Sequence, residues 1–314
     1  LPPGGLPAGL RAGRMATLPE TAATPPLGRV RAYILRMAGL STTAMKVLRT
    51  CNEPTACAND LNRVISLDPV LTGRVLQLIN SAYYSLPSKV GSLTRAIILL
   101  GINTVKNLVL GFAVFESFAR RDHFRVFTPD EFWAHSLSTA AGAKLLAVRY
   151  GVPLSEREDF FVAGLMHDLG KIPLNHLFPD AYRRAAETAR CSASGMRAAE
   201  QVCLNVDHCA VGGMIARKWQ LGPGLSAALA GHHAIDESAA AGGGLGLAEA
   251  VGLADLLAHR AGAGTAGGNS LSESQREWLG RRWQLRDEDL AGMSAAVAAE
   301  IEKAKVFLEI AARR

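Results

Sequence analysis

The chain has 314 residues, 49% of them hydrophobic and 20% charged, enough for one large or two ordinary globular cores. Its formal charge of +6 is supplied by residues 1–50, where Glu20 is the only acid. The balanced remainder argues against a clustered basic face for specific nucleic-acid binding and leaves a basic tail capable of weak, salt-sensitive attraction. No run reaches the roughly 20 apolar residues of a membrane span; the nearest, 96–115, is interrupted by Asn103, Lys106 and Asn107. No basic start leads into an apolar signal segment, and five cysteines without a CxxC read as reduced thiols of a cytoplasmic protein.

Residues 1–26, rich in Pro, Gly, Ala and Thr, lack apolar periodicity and are expected to be disordered, with Met15 a candidate initiator inside them. From Leu27 onward the pattern is helical. Asp68-Pro69 supplies an N-cap followed by proline, and Leu71, Val75, Leu78, Ile79 and Ala82 then share one apolar face. Ser92 is suited to cap a short helix that stops at Gly101, and Asn103 to cap the next, with Leu108, Val109, Phe112 and Phe115 inward. Thr128-Pro129-Asp130-Glu131 opens a long helix ending at Tyr150-Gly151. Ser155 with Glu158 has the spacing of a capping box for a helix that ends at Gly170.

Asp207 is placed to cap a helix starting at His208, and Gly222-Pro223-Gly224 breaks the chain before a helix ending in His232-His233. The stretch AAAGGGLG at 239–246 reads as a flexible loop, either a lid over a site or a plain surface connection, and Gly262–Gly268 as a linker between helices. Asp255 falls in a helix at 247–259, and Leu290, Met293, Val297, Ile301, Ala304 and Leu308 mark an amphipathic C-terminal helix. Strand signals are absent.

The residues that carry chemistry are His135, His167-Asp168, His208, His232-His233 and Asp255, all inside apolar helical sequence. Imidazole with carboxylate suits a borderline transition metal, and burying such groups is costly unless something pairs them. Adjacent helical residues point about 100° apart, so each pair can grip one ion from two sides or two ions at once. Taken singly, each histidine also reads as a satisfied core or surface residue. Cys209, beside His208, reads as a ligand or as a small buried hydrophobe. Asn80, Ser81, Tyr83 and Tyr84 suit a partner surface or, alternatively, helix closure and packing.

Residues 130–260 resemble the HD superfamily, whose metal motif H…HD…D is matched by His135, His167, Asp168 and Asp255. His208, His232 and His233 resemble the extended ligand set of bimetallic members, which include the HD-GYP cyclic-di-GMP phosphodiesterases. The text HDLGK at 167–171 is also similar, which makes Lys171 a phosphate contact. Glu131 stands where some HD-GYP proteins bind a third metal, although an acid in a first helical turn also complements the helix dipole. The fuller resemblance is to the HDOD family. It is carried by NSAYYSLPSKVGSLTRAIILLGINTVKNLVLG at 80–111 and by DHCAVGGMIARKWQLGPGLSAALAGHH at 207–233, and extends from about residue 30 to 310. Two departures stand out: AGLSTTAMKVL replaces the proline-containing segment near the start, and AIDESAAAGGG follows His233 where a GYP element would lie.

The resemblance implies an all-α fold in which an N-terminal helical subdomain (27–127) packs on an HD-type helical bundle (128–262), with 263–314 completing the fold. It implies a bacterial signalling protein with two transition-metal ions, iron or manganese, held by His135, His167, Asp168, His208, His232, His233 and Asp255, and with protein partners in a signalling pathway. A metal-dependent phosphohydrolase or phosphodiesterase acting on a nucleotide or cyclic dinucleotide is the alternative, with Asp168 and Lys171 as its catalytic residues and a phosphate-containing ligand. A di-iron oxygenase using His135, His167, Asp168, His208, His232 and Asp255 is the third reading.

Overall fold

The computed structural model describes residues 26–53, 55–118, 121–191, 195–234, 245–260, 262, 283 and 286–313. The tail before Pro26, the 239–244 part of the glycine-rich loop and the 263–268 part of the linker lie outside them. The fold is all-α, and the described residues contain no strand.

Five helices form the N-terminal layer: α1 (Pro26–Arg36), α2 (Thr42–Asn52), α3 (Ala58–Ile65), α4 (Pro69–Ile79) and α5 (Leu93–Leu100). Pro26, grouped above with the tail, opens α1. The Asp68 carboxylate accepts from Leu71 N–H at 3.0 Å and starts α4, as its place before Pro69 predicts. Asn80 closes α4: its amide donates to the Leu76 and Val90 carbonyls and accepts from Val90 N–H, so the NSAYY turn is tied back to the next strand of chain. Ser92 caps α5 through Arg95 N–H.

Between α5 and α6 (Ile102–Phe118) the axis bends by 117° at Gly101, whose φ of +87° is a conformation that side chains disfavour. The predicted Asn103 cap is not used: α6 begins one residue earlier, straight out of that glycine turn. No single described helix is long and apolar enough to cross a membrane. Helix α6 is apolar because it is buried around most of its circumference, between the N-terminal layer and the rest of the molecule.

The long α7 (Pro129–Arg149) starts with the Thr128/Glu131 capping box and packs along α8 (Arg157–Met166), α14 (Leu247–Arg260) and α15 (Asp287–Ala312). The Ser155/Glu158 capping box does not form. Residues Leu154–Glu156 make a 3-10 turn, and Glu158 instead turns inward to Lys144 of α7. Helices α9 (Lys171–Leu177), α10 (Pro179–Cys191), α11 (Gly195–Leu204), α12 (His208–Lys218) and α13 (Pro223–Gly231) wrap the other side. Asp207 caps α12 through Ala210 N–H at 2.8 Å. Lys218, at the far end of α12, donates to the Ile34, Leu35 and Met37 carbonyls and so ties α1 across α9 and α12. The buried apolar residues form one continuous core from Val30 to Ala311, in which Phe307 of α15 stacks on Phe112 of α6 at 4.8 Å.

Candidate metal centre

Five pieces of chain deliver the chemistry to one point. Helix α7 carries His135. Helix α8 ends at Met166, and the tight turn 167–170 presents His167 and Asp168 before α9 begins at Lys171. The first residue of α12 is His208, the residue after α13 is His232, and α14 contributes Asp255. This turn needs a glycine for close approach: a Cβ on Gly170 would sit 1.9 Å from the His208 carbonyl oxygen. His167-Asp168 and His208 are therefore locked together by backbone contact.

Asp168 is the centre of the cluster. Its Oδ2 faces His167 Nε2 at 3.3 Å, His135 Nε2 at 3.4 Å and Lys171 Nζ at 2.6 Å. Its Oδ1 faces His208 Nε2 at 3.5 Å and His232 Nε2 at 3.9 Å. Asp255 Oδ1 stands 3.0 Å from His135 Nε2 and 3.7 Å from His167 Nε2. His233 Nε2 lies 3.0 Å from His208 Nε2. Three overlapping groups thus have ligand atoms within 4.8 Å of one another: His135, His167 and Asp255; His167, Asp168 and His232; and His208, Cys209, His232 and His233. Cys209 is buried, with its sulfur 4.0 Å from both ring nitrogens of His232.

The tautomers are set from outside the cluster. His167 Nδ1 is 2.7 Å from the Gly164 carbonyl, His232 Nδ1 3.0 Å from the Ala228 carbonyl, and His208 Nδ1 2.6 Å from Glu200 Oε2. A carbonyl or carboxylate can only accept, so each Nδ1 carries a proton, and in the neutral imidazole Nε2 presents its lone pair inward. The buried Nε2 of His167, Oδ1 of Asp255 and both oxygens of Asp168 then converge on one point, where Asp168 Oδ2 also faces the Lys171 ammonium. Such an arrangement suits a cation in its midst, and imidazole with carboxylate is the donor set of a borderline transition metal. The outer hydrogen bonds on Nδ1 are those that metal-ligating histidines characteristically make. The residues present therefore fit a metal.

Protons respond to the same convergence. Burial opposes a charge on His135, but the carboxylates of Asp168 and Asp255 outweigh it and lift its pKa to about 9. Burial likewise opposes a charge on His208, and Glu200 raises it well above the usual range. His233 is pushed down to about 3 by burial and then by His208. His232 is held well below the ordinary value by burial and by His233. Burial would raise the Asp168 carboxyl, yet His167 and Lys171 keep it well below the carboxylate range.

Two residues absent from the motif reading join the cluster. His259 lies one helical turn beyond Asp255, with Nε2 3.3 Å from Asp255 Oδ1 and its ring 4.7 Å from that of His135. Its spacing of four residues from Asp255 was a usable signal. Glu200, fully buried, interrupts the apolar stripe Met196, Ala199 and Leu204 of α11. By contrast, Glu131 is engaged at the start of α7, where its Oε2 accepts from the Thr128 N–H and hydroxyl at 2.8 Å each.

The HDOD domain model matches residues 37–235. The chain belongs to the HDOD family. The match ends before Asp255 and His259, so α14 lies beyond it. An HDOD domain protein of unknown function from Geobacter sulfurreducens is similar in structure: TM-score 0.66, 24% identity, 91% of this chain and 96% of that one. A Marinobacter aquaeolei VT8 protein, provisionally named a signal transduction protein, has a TM-score of 0.66 at 19% identity over 92% of this chain and 66% of its own. These likenesses show that the HDOD fold extends over nearly the whole chain. A curated relative from Treponema pallidum (strain Nichols) is 21% identical over 194 residues, 62% of this chain; the match spans 37% of that protein's length.

Proposed function

We propose that the chain is a bacterial, cytoplasmic HDOD regulatory protein with a two-metal centre in its HD-type part, 128–262. In this reading the N-terminal helical part, 27–127, engages protein partners of a signalling pathway, and 263–314 completes the fold. The observation that carries the metal reading is the two-sided Asp168 carboxylate, one oxygen toward His135 and His167 and the other toward His208 and His232. One ion would be held by His135, His167, Asp168 and Asp255, and the other by Asp168, His208, His232 and His233, with iron or manganese the metals suited to this set. His135, His167, Asp168, His208, His232 and Asp255 are all buried, between 0% and 6% exposed. With His233 the one partly exposed member of the proposed ligand set, the centre is largely enclosed, which favours a structural or sensory role over turnover, since catalytic sites keep an open position. The signalling context agrees with the provisional name of the Marinobacter relative.

Lys171 supports a second reading, a phosphohydrolase or phosphodiesterase. Its ammonium sits 2.6 Å from Asp168 Oδ2, at the edge of the cluster, where it would neutralise a phosphate-containing ligand. When bound, a metal pair supplies Lewis acidity toward phosphoryl oxygens.

Metal analysis of the protein purified from iron- and manganese-supplemented cells tests the centre. About two ions per chain are expected in the native protein and a clear loss in His167→Ala and Asp168→Ala; unchanged content in both variants would refute the assignment. Assays of the fully loaded protein on cyclic dinucleotides, nucleotides and simple phosphodiesters separate the two readings. The regulatory reading expects no turnover, and turnover that Lys171→Ala abolishes would establish the hydrolase.

A further inference from the structure

Glu200 is an expensive residue to bury. It sits on α11 with no exposed surface, among Met196, Ala199 and Leu204. A carboxylate in such a place persists only when it is well paired. Its Oε2 accepts twice from one residue: from His208 Nδ1 at 2.6 Å and from the His208 backbone N–H at 2.8 Å. Its other neighbour is Tyr182 of α10, whose hydroxyl is kept protonated by burial and then by the charge on Glu200.

The two bonds do different jobs. The backbone bond satisfies an N–H at the start of α12 that has no partner within the helix. The side-chain bond fixes the His208 tautomer, so that Nε2 points to Asp168 Oδ1 and His233. No backbone carbonyl serves His208 as Gly164 serves His167 and Ala228 serves His232. A full negative charge replaces them here, and it makes the imidazole a stronger donor at Nε2.

We infer that Glu200 is a positioning residue of the centre: through His208 alone it strengthens metal binding on the α12–α13 side of Asp168. The inference rests on the metal reading above. The two fail in different ways, because absence of both iron and manganese binding by the native protein sinks that reading, whereas the inference concerns a difference between variants.

The test is a titration of the full chain with manganese(II) against a fluorescent chelator, with circular dichroism as a check on folding. Glu200→Ala is expected to weaken the α12–α13 site about 10- to 100-fold, the range found for outer partners of metal ligands. Glu200→Gln, of equal volume and still able to accept from Nδ1–H, should recover part of that affinity and covers the case in which the alanine variant does not fold. In a His208→Ala background the Glu200→Gln change should make no further difference, which a general effect on the fold would not reproduce. Native affinity in a folded Glu200→Ala or Glu200→Gln protein would overturn the inference, and so would an equal loss in the His208→Ala background.

Discussion

Each imidazole of the cluster is defined by what holds its Nδ1 and what faces its Nε2, and these environments predict opposite pH responses. In the metal-free chain His135 titrates at about 9 against an ordinary 6.5, so its contribution to stability is complete below 6.5 and is lost as pH rises through 9. His233, held at about 3, acts in the other sense: the unfolded chain takes up its proton first, and stability falls as pH drops below the ordinary 6.5. Thermal denaturation of the metal-free protein should therefore show a maximum near the ordinary histidine pKa, and loaded metal should flatten the alkaline limb by displacing the His135 proton. A curve that keeps rising to pH 9 would contradict this assignment of protons. Glu131 gives a simpler contrast. Its replacement by alanine removes half of a capping box and should cost about 1 kcal/mol of stability; the metal content of Glu131→Ala, measured beside that of native protein, should not change. The histidines and aspartates were legible because paired titratable residues in apolar sequence are conspicuous. Glu200 was not, since a single acid in an amphipathic helix is ordinarily solvated and only the packing of α10, α11 and α12 shows it to be enclosed.

At the scale of elements, α7 and α8 are the beams that carry the site, and the N-terminal layer is fastened to them by a buried polar link. Lys144 of α7 pairs with Glu158 of α8, donates to the Tyr83 hydroxyl at 3.0 Å and lies over the Tyr83 ring at 4.2 Å. Tyr83 and Tyr84 follow the Asn80 turn that closes α4, so the NSAYY segment docks on the two helices that present His135 and His167. Removing Lys144 leaves the Glu158 carboxylate buried without its cation, a change that typically destabilises by about 3–5 kcal/mol. Chemical denaturation of Lys144→Met is expected to show a loss of that size, while Lys144→Met/Glu158→Leu should recover most of it; a single variant as stable as the native protein would remove this link from the account. Helix starts set by Asp68, Ser92, Thr128 and Asp207 were readable because each cap is a local interaction. The Ser155/Glu158 spacing misled for a tertiary reason: Lys144, fourteen residues away in the chain, claims the carboxylate that the local pattern reserved for a cap.

Across the whole molecule, one core joins the N-terminal layer, the site-bearing bundle and α15, which packs on α7 and α14 and reaches α4. The all-α class was readable from period and breakers alone, whereas the meeting of α15 with α4 depends on contacts between the two ends of the chain. The site belongs to this scale as well, because His135, His167, His208, His232 and Asp255 come from five separate stretches brought together only by packing. A metal centre assembled in this way would couple metal binding to folding. Gly170→Ala tests the coupling, since its Cβ would collide with the His208 carbonyl. It should lower both the melting temperature and the metal content, and retention of both would mean that the 167–170 turn and α12 are not locked together. The central claim is met most directly by anomalous diffraction from crystals of the metal-loaded protein, recorded at the iron and manganese edges. Two peaks are predicted on opposite sides of the Asp168 carboxylate, one among His135, His167 and Asp255 and one among His208, His232 and His233. An absence of any peak within reach of Asp168 in metal-loaded crystals would contradict it.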